Sequence, residues 1–219
     1  MSAFVSWSGG KDCMYAMHRF LLQSELPVSH LVNMCDETGL KSGSHGLDSA
    51  LIKAQAEQLN VELVQKPTSK SQYRANFIET ISKLKNEGVT TGIFGDIYLE
   101  AHREWIEEVC TEIGVTPVFP LWGMDTSELP DLFVADGYKS MVVAVRKEKL
   151  GEEWLGRIID EKFVEDIKSL TEIDPCAEQG EYHTFVLDGP LFNKAVEYNI
   201  NEKWEDECHL YLELKAITA

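Results

Sequence analysis

The segment that predicts the fold of this chain is FVSWSGGKDC, residues 4–13. A short apolar strand runs directly into two glycines, a lysine and an aspartate, and a helical pattern follows. Because glycine has no Cβ, the backbone at Gly9 and Gly10 can turn tightly, so that its N–H groups converge on an anion at the start of a helix. Lys11 would add a positive charge. The segment predicts a phosphate-binding loop whose spacing differs from that of a Walker A loop.

Apolar runs and amphipathic stretches alternate through the first half of the chain. The pattern predicts strands at residues 3–7, 28–35, 61–64, 91–94 and 115–119, and helices at residues 14–23, 47–59, 73–84 and 99–113. Parallel neighbouring strands need crossover helices, so the alternation predicts an α/β fold with a doubly wound parallel sheet. Ligands bind such sheets beyond the carboxyl ends of the strands, where the strand order reverses.

The pattern changes near residue 120, and we expect a smaller mixed α/β lobe over residues 121–219. The segments assigned to it are strands at residues 140–145, 182–187 and 209–214, and amphipathic stretches at residues 152–159 and 163–170. No linker rich in glycine, serine or proline separates this lobe from residues 1–120. We therefore expect the two lobes to share an extensive contact.

Composition narrows the classes of function. The formal net charge is −17, from 37 acidic and 20 basic residues, which disfavours a nucleic-acid partner because such proteins carry a basic surface. The five cysteines are scattered and include no C-x-x-C pair, which argues against a disulfide framework or a zinc site. No run of eighteen apolar residues and no basic leader is present, so we expect a soluble cytoplasmic protein with no membrane span.

Several segments, in order along the chain, resemble one family. SGGKDC, residues 8–13, resembles the Ser-Gly-Gly-x-Asp-Ser (PP-loop) motif of the ATP-pyrophosphatase superfamily, with Cys13 in place of serine. DPCAEQGEYHTF, residues 174–185, resembles a Cys-Gly-Glu-x-Gly-Glu-Tyr/Phe segment of the diphthine:ammonia ligase family, with Ala177 and Gln179 in place of glycine and asparagine. FGDI, REW and PLW stand between these two segments in the family's order.

This resemblance implies a sheet order of 3-2-1-4-5, an ATP-pyrophosphatase nucleotide-binding domain at residues 1–120 and a substrate-recognition lobe at residues 121–219. It also implies ATP and Mg²⁺ as cofactors. A carboxylate would be adenylated with release of pyrophosphate, and ammonia would then displace AMP to form an amide. The nitrogen would come from free ammonia or from a separate partner protein. Whether the chain forms a homo-oligomer stays open.

The expected nucleotide site begins with the phosphate loop. The residues assigned to it are Ser8, Gly9, Gly10, Lys11, Asp12 and Cys13. By resemblance, Met34 would border the adenine. Asp96 ends an apolar strand at the expected reversal of strand order, where its carboxylate could hold magnesium or orient the attacking group. A helix N-cap is the structural alternative for Asp96.

The expected acceptor site is the polar cluster of Glu178, Glu181, His183 and Thr184, which precedes an apolar strand. Strand alternation would place Glu181 and His183 on one side, where a carboxylate and an imidazole could position ammonia and accept its protons. The alternative interpretation of this cluster is a structural one, in which the polar residues form the solvent-facing side of an edge strand. His45 and Arg103 join the expected substrate-binding residues by resemblance, although a surface histidine and a surface ion pair are the simpler interpretations.

Three other functions stay open at this stage. The same AMP-forming chemistry could act on a small metabolite. Modification of tRNA is disfavoured by the missing cysteine pair and the acidic charge. A nucleotide-binding sensor would need the loop at residues 8–12 but would have no need of the polar cluster at residues 178–184.

Overall fold

The computed structural model of the chain describes residues 1–42 and 46–217. Strands and helices alternate in the first part of the described chain, as the apolar pattern predicts. The strands are β1 (Ser2–Ser6), β2 (Val28–Cys35), β3 (Glu62–Pro67), β4 (Val89–Ile93) and β5 (Thr116–Val118). The helices are α1 (Lys11–Gln23), α2 (Ser49–Leu59), α3 (Tyr73–Asn86) and α4 (Glu100–Ile113).

In the described chain these strands form a parallel five-stranded sheet of order β3-β2-β1-β4-β5, which confirms the predicted fold class and order. The alternation of side chains along β1 shows why both faces are covered. Ala3 and Val5 belong to one apolar cluster, whereas Phe4 between them belongs to a second cluster with residues of α3 and α4. Since successive strand residues point to opposite faces, a strand buried on both sides is apolar throughout.

The second lobe contains α5 (Leu129–Ala135), β6 (Lys139–Arg146), α6 (Glu161–Lys168), β7 (Tyr182–Asp188), β8 (Tyr198–Glu205) and β9 (His209–Ala216). Within the described residues its strands form an antiparallel four-stranded sheet of order β7-β6-β9-β8. β6, β7 and β9 coincide closely with the three predicted strands. The mixed α/β character of this lobe is therefore confirmed.

Two features of the second lobe differ from the sequence-based expectation. β8 was not predicted, because its sequence YNINEKWE is polar and largely exposed at the edge of the sheet. The stretch at residues 152–159 is not a continuous amphipathic element. It holds only a three-residue 3₁₀ turn, Glu152–Trp154, and the chain turns at Gly156 with a φ of +81°.

One apolar cluster extends through both lobes. It includes Val5 of β1 and Leu51 of α2 from the first lobe, and Val142 of β6 and Phe185 of β7 from the second. The lobes therefore share a packed core, and β7 lies directly behind the loop that follows β1. Over the described residues, we find no helix with both the length and the apolar character needed to cross a membrane.

Candidate active site

A cavity of about 900 Å³ opens at the carboxyl ends of β1, β2 and β4. This is where a sheet of order 3-2-1-4-5 reverses its strand order, and where α/β sheets bind ligands. Both lobes contribute to its walls. Among the predicted site residues, those that line it are Ser8, Asp12, Cys13, Met34, Asp96, Glu178 and His183.

The turn at Gly9 gives the loop its shape. Gly9 has a φ of +87°, and a Cβ built on it would lie 2.5 Å from Cδ1 of Ile52, so only glycine fits without rearrangement. Helix α1 then begins at Lys11, with Gly10 at the N-cap, and this glycine has no side chain with which to cap the helix. A helix N-terminus of this kind is suited to an anion, because its first N–H groups have no partners within the helix.

Cys13 occupies the position where the related loops carry serine. Its thiol donates a hydrogen bond to the carbonyl of Gly10 at 3.2 Å and lies 3.5 Å from Oγ of Ser8. Burial raises the pKa of the Cys13 thiol above its ordinary value. A neutral thiol therefore lines this part of the loop.

Strand β7 of the second lobe supports the loop through direct hydrogen bonds. The N–H of Lys11 donates to Oγ1 of Thr184 at 3.0 Å, and the N–H of Val186 donates to the carbonyl of Gly9 at 3.0 Å. Thr184 is buried at 2% exposure. In this structure Thr184 holds the loop rather than lining the cavity, which differs from the substrate contact expected from the sequence.

Gln55 of α2 completes this support. Its side-chain amide donates to the carbonyl of Gly9 at 3.0 Å and to the carbonyl of Val186 at 2.7 Å, while its oxygen accepts from Nε1 of Trp7 at 3.0 Å. Sequence reasoning missed Gln55. A signal was present, because Leu51, Gln55 and Leu59 lie on one face of the predicted helix, where a polar side chain stands among apolar ones.

Lys11 is not among the residues that line the cavity. It is 5% exposed, and its ammonium group donates to both carboxylate oxygens of Asp12, at 2.8 and 2.9 Å, and to the carbonyl of Cys176. Burial lowers the pKa of Lys11, but the Asp12 charge and further neighbours outweigh burial and hold that pKa above its ordinary value. The charged side chain thus ties the loop to the segment before β7. A direct bond from Lys11 to phosphate stays a prediction.

Gly95 brings Asp96 close to the loop. A Cβ built on Gly95 would lie 2.9 Å from the carbonyl carbon of Asp12 and 2.9 Å from the amide nitrogen of Cys13. The backbone after β4 therefore lies against the first turn of α1, and the Asp12 and Asp96 side chains both reach the cavity. Burial raises the pKa of Asp96, although His102, whose Nδ1 lies 3.3 Å from its carboxylate, opposes this effect.

Asp12 and Asp96 supply the type of ligand that a magnesium ion arriving with a nucleotide takes, and both oxygens of Asp12 accept hydrogen bonds from Lys11 here. Mg²⁺ at phosphate sites takes one or two carboxylates together with phosphate oxygens and water. After burial, the largest cause, the charge of Asp12 also contributes to raising the pKa of Asp96. Across residues 1–42 and 46–217, no group of three or more His, Cys, Asp or Glu side chains is arranged to hold a metal.

Glu178 and Glu181 have different surroundings. Glu178 lines the cavity, and burial, followed by the charge of Asp12, raises its pKa to about 7. Glu181 is 1% exposed, and its two oxygens accept from the N–H groups of Asp174 at 3.0 Å and Gln179 at 3.1 Å. The sequence predicts Glu181 beside the acceptor, but in the structure Glu181 precedes the first residue of β7 and binds the backbone of its own loop.

The remaining predicted residues divide between the cavity and other surfaces. His183 lines the cavity, with its ring centroid 6.1 Å from that of His209. Arg103 does not line it, because its Nε donates to Glu107 at 2.7 Å and its guanidinium lies over the ring of Trp122 at 4.6 Å. His45 lies outside the described residues. His102, which sequence reasoning missed, lines the cavity six positions after Asp96.

The fold and the cavity define an α/β protein with a glycine-containing loop at the reversal point of a parallel sheet. The family model described as the diphthamide synthase N-terminal domain matches residues 1–117, and the model described as the diphthamide synthase C-terminal domain matches residues 125–218. The chain therefore belongs to the diphthamide synthase family of enzymes. This confirms the resemblance carried by the loop and by the segment before β7.

Two relatives that carry diphthine–ammonia ligase names and one solved structure are similar to this chain. A diphthine–ammonia ligase of Schizosaccharomyces pombe is 30% identical, over 95% of this chain and 38% of its own length. The human diphthine–ammonia ligase is 25% identical, over 89% of this chain and 82% of its own length. A predicted tRNA methyltransferase subunit from Methanocaldococcus jannaschii superposes with a TM-score of 0.45 at 14% identity, covering 86% of this chain and 98% of that one.

Proposed function

We propose that this protein is an ATP-dependent ligase that converts a carboxylate into an amide with ammonia. Its relatives are named diphthine–ammonia ligases, which supports the proposal. One observation carries the proposal. The phosphate-type loop and the segment before β7 line the same cavity, and β7 itself is hydrogen-bonded to the loop. A site for ATP and a site for its acceptor would thus adjoin, as adenylation requires.

In the first step, the acceptor carboxylate oxygen attacks the α-phosphorus of ATP, and pyrophosphate leaves. The N-terminus of α1 and the loop N–H groups would stabilise the negative charge that collects on the departing pyrophosphate. Asp12 and Asp96 would hold the magnesium ion, which when bound neutralises part of the phosphate charge. The products of this step are an acyl adenylate and pyrophosphate.

In the second step, the lone pair of ammonia attacks the acyl carbon, and AMP leaves with its electron pair. Ammonia is mostly ammonium at neutral pH, so a group must accept protons as the amide forms. Glu178 lines the cavity with a pKa near 7 and is suited to that exchange. We assign Glu178 the role of proton acceptor, and His183 lines the same cavity.

The test is an analysis of products with ATP, Mg²⁺, ammonium chloride and a protein that carries diphthine. We expect AMP and pyrophosphate in equal amounts, together with conversion of the carboxyl group to an amide detected by mass spectrometry. An Asp96→Asn variant should lose about ten- to a hundredfold in rate, because one contact to a charged group contributes roughly 1.5–3 kcal/mol. Formation of ADP and inorganic phosphate would contradict the proposal.

The same assay separates the other functions. AMP and pyrophosphate formed with a small carboxylic acid, but not with the diphthine protein, would indicate a metabolite ligase. ATP binding without any turnover would favour a nucleotide sensor. Turnover that depends on tRNA would indicate RNA modification.

A further inference from the structure

The cavity at the carboxyl ends of the parallel strands has acidic walls. The carboxylates that line it are Asp12, Asp36, Glu37, Asp96 and Glu178. ATP and the acceptor carboxylate, which the proposed function brings together here, are both anions. Like charges repel strongly where protein walls keep water away from them. A site that accepts both reactants therefore needs cationic side chains in addition to the magnesium ion.

Lys11, the lysine of the loop after β1, is engaged by neighbouring protein groups. Its ammonium group donates to both carboxylate oxygens of Asp12, at 2.8 and 2.9 Å, and to the carbonyl of Cys176. A lysine ammonium carries three N–H donors, so these contacts use all of them. In this arrangement Lys11 offsets the charge of Asp12 and leaves the other carboxylates of the cavity uncompensated.

Lys70 is the cation that the fold places on the cavity wall. It begins the 3₁₀ turn Lys70–Gln72, which lies between β3 and α3. Among the described residues that line the cavity, Lys70 is the only lysine or arginine. His102 and His183 line it too, but an imidazole generally carries a full charge only at acidic pH. The Lys70 side chain is exposed, so its flexible stem can bring the ammonium group to a ligand without breaking a buried contact.

The place of Lys70 in the sheet favours the α-phosphate of ATP as its ligand. By resemblance, adenine would border Met34 at the end of β2, and the departing pyrophosphate would lie at the loop after β1. The α-phosphate joins these two parts of ATP, so it would lie between them over the strand ends. β3, β2 and β1 are neighbours in the sheet, and Lys70 lines a smaller adjoining groove together with Ser6, the last residue of β1.

We propose that Lys70 binds a non-bridging oxygen of the α-phosphate and acts as a catalytic residue in adenylation. This inference rests on the proposed function, because it takes ATP as the ligand of the cavity. An acceptor carboxylate oxygen bonds to the α-phosphorus as the bond to the pyrophosphate oxygen breaks, and that oxygen leaves with the electron pair. Negative charge on the non-bridging oxygens repels the attacking carboxylate. The ammonium group of Lys70 reduces this repulsion and stabilises the charge in the transition state.

The first experiment compares AMP with adenosine by calorimetric titration without an acceptor. The two ligands differ only by the α-phosphate. We expect Lys70→Met to weaken AMP binding roughly tenfold, the effect of one charge-assisted contact at an exposed side chain, and to leave adenosine binding unchanged. Lys70→Arg keeps the positive charge and should retain most of the AMP affinity. Wild-type protein that binds AMP no more tightly than adenosine would overturn the proposal.

Lys66→Met is the matched control. Lys66 lies on β3 shortly before Lys70, pairs with Glu79 at 3.0 Å, and is not among the residues that line the cavity. This variant removes the same charge from the same region, so it should leave both affinities unchanged. Equal losses of AMP affinity in the two variants would indicate a long-range charge effect and overturn the proposal. Unchanged AMP affinity in a folded Lys70→Met would do so as well.

A rate measurement identifies which reactant Lys70 contacts. With saturating ATP, Lys70→Met should lower kcat for AMP formation roughly tenfold, because the contact also acts in the transition state. The KM of the acceptor should change little. A raised KM of the acceptor with unchanged AMP affinity would show that Lys70 binds the acceptor carboxylate instead, which would overturn the proposal.

The two proposals can fail separately. A preference for AMP over adenosine that is lost in Lys70→Met, with no amide formed from any acceptor, would overturn the proposed ligase function and leave the Lys70 contact standing. Amide formation at the same rate and with the same AMP affinity in Lys70→Met would do the reverse.

Discussion

Glu178 and Glu181 show how two carboxylates three positions apart acquire different tasks. Glu181 precedes β7, and its oxygens accept N–H groups of its own loop at 3.0 and 3.1 Å. Glu178 lines the cavity, where Asp12 and Asp96 both add to the rise in its pKa caused by burial. The loop between residues 174 and 181 therefore holds one glutamate as a structural group and presents the other to the ligand.

The raised pKa of Glu178 predicts a pH-dependent effect on stability. Folding raises this pKa from 4.5 to about 7, so folding the ionised form costs free energy. That cost is absent below pH 4.5, grows as the pH rises, and is complete above pH 7. Glu178→Gln should therefore raise the melting temperature at pH 8 and have little effect at pH 5, as thermal unfolding at both values would show.

Glu181→Gln is the matched control for that measurement. Glutamine keeps one acceptor oxygen and turns an NH₂ group toward a backbone N–H, so this variant should lower the melting temperature at pH 8. A stabilising effect of Glu181→Gln, or a destabilising effect of Glu178→Gln at pH 8, would contradict the roles assigned to the two residues.

At the scale of elements, the loop after β1 is held from two sides. β7 contacts it through Thr184 and Val186, and α2 contacts it through Gln55. These contacts join positions far apart in sequence, since Lys11 and Thr184 are 173 positions apart. The geometry of the phosphate-type loop therefore depends on an element of the second lobe.

Replacing Gln55 should test this dependence. In Gln55→Leu, the indole N–H of Trp7 and the carbonyl of Val186 lose their partner, which costs about 1–3 kcal/mol for each buried group left without one. The loop should also shift, so ATP affinity should fall along with the free energy of unfolding. Denaturant unfolding and calorimetric ATP titration would measure both. Gln58→Leu, on the same helix and half-buried, is the control and should leave ATP affinity unchanged.

At the scale of the whole molecule, the lobes share one apolar cluster rather than meeting at a polar interface. Val5, Leu51, Val142 and Phe185 all belong to it. Elements that share a close-packed core lose their packing together when one of them unfolds. We propose that residues 1–120 and 121–219 form two functional regions of a single cooperative unit.

Calorimetry should therefore record one thermal transition whose calorimetric and van't Hoff enthalpies agree. ATP with Mg²⁺ should move this single transition to a higher temperature, because a ligand that binds only the folded state stabilises it. Two separate transitions, or a shift confined to one of them, would show that the lobes unfold independently.

The sequence by itself determined the alternation of strands and helices, the glycine turn after β1 and the family. These properties depend on periodicity and on residue type over short stretches, and both can be read along the chain. Reasoning from strand ends identified Asp96 as a site residue, because strand ends meet at one edge of a parallel sheet. The polar cluster and the family resemblance identified Glu178, and both residues line the cavity. The sequence did not predict β8, because this edge strand is polar and its residues show no alternation of apolar and polar side chains.

Only the tertiary structure decided which way the polar side chains of the site point. Lys11, Thr184 and Glu181 stand in motif positions, yet each is buried and bonded within the protein. Their partners include a carbonyl and an amide from the opposite lobe, which no local pattern specifies. A buried polar group must find a hydrogen-bond partner wherever the fold places one, so its role follows from packing between distant segments.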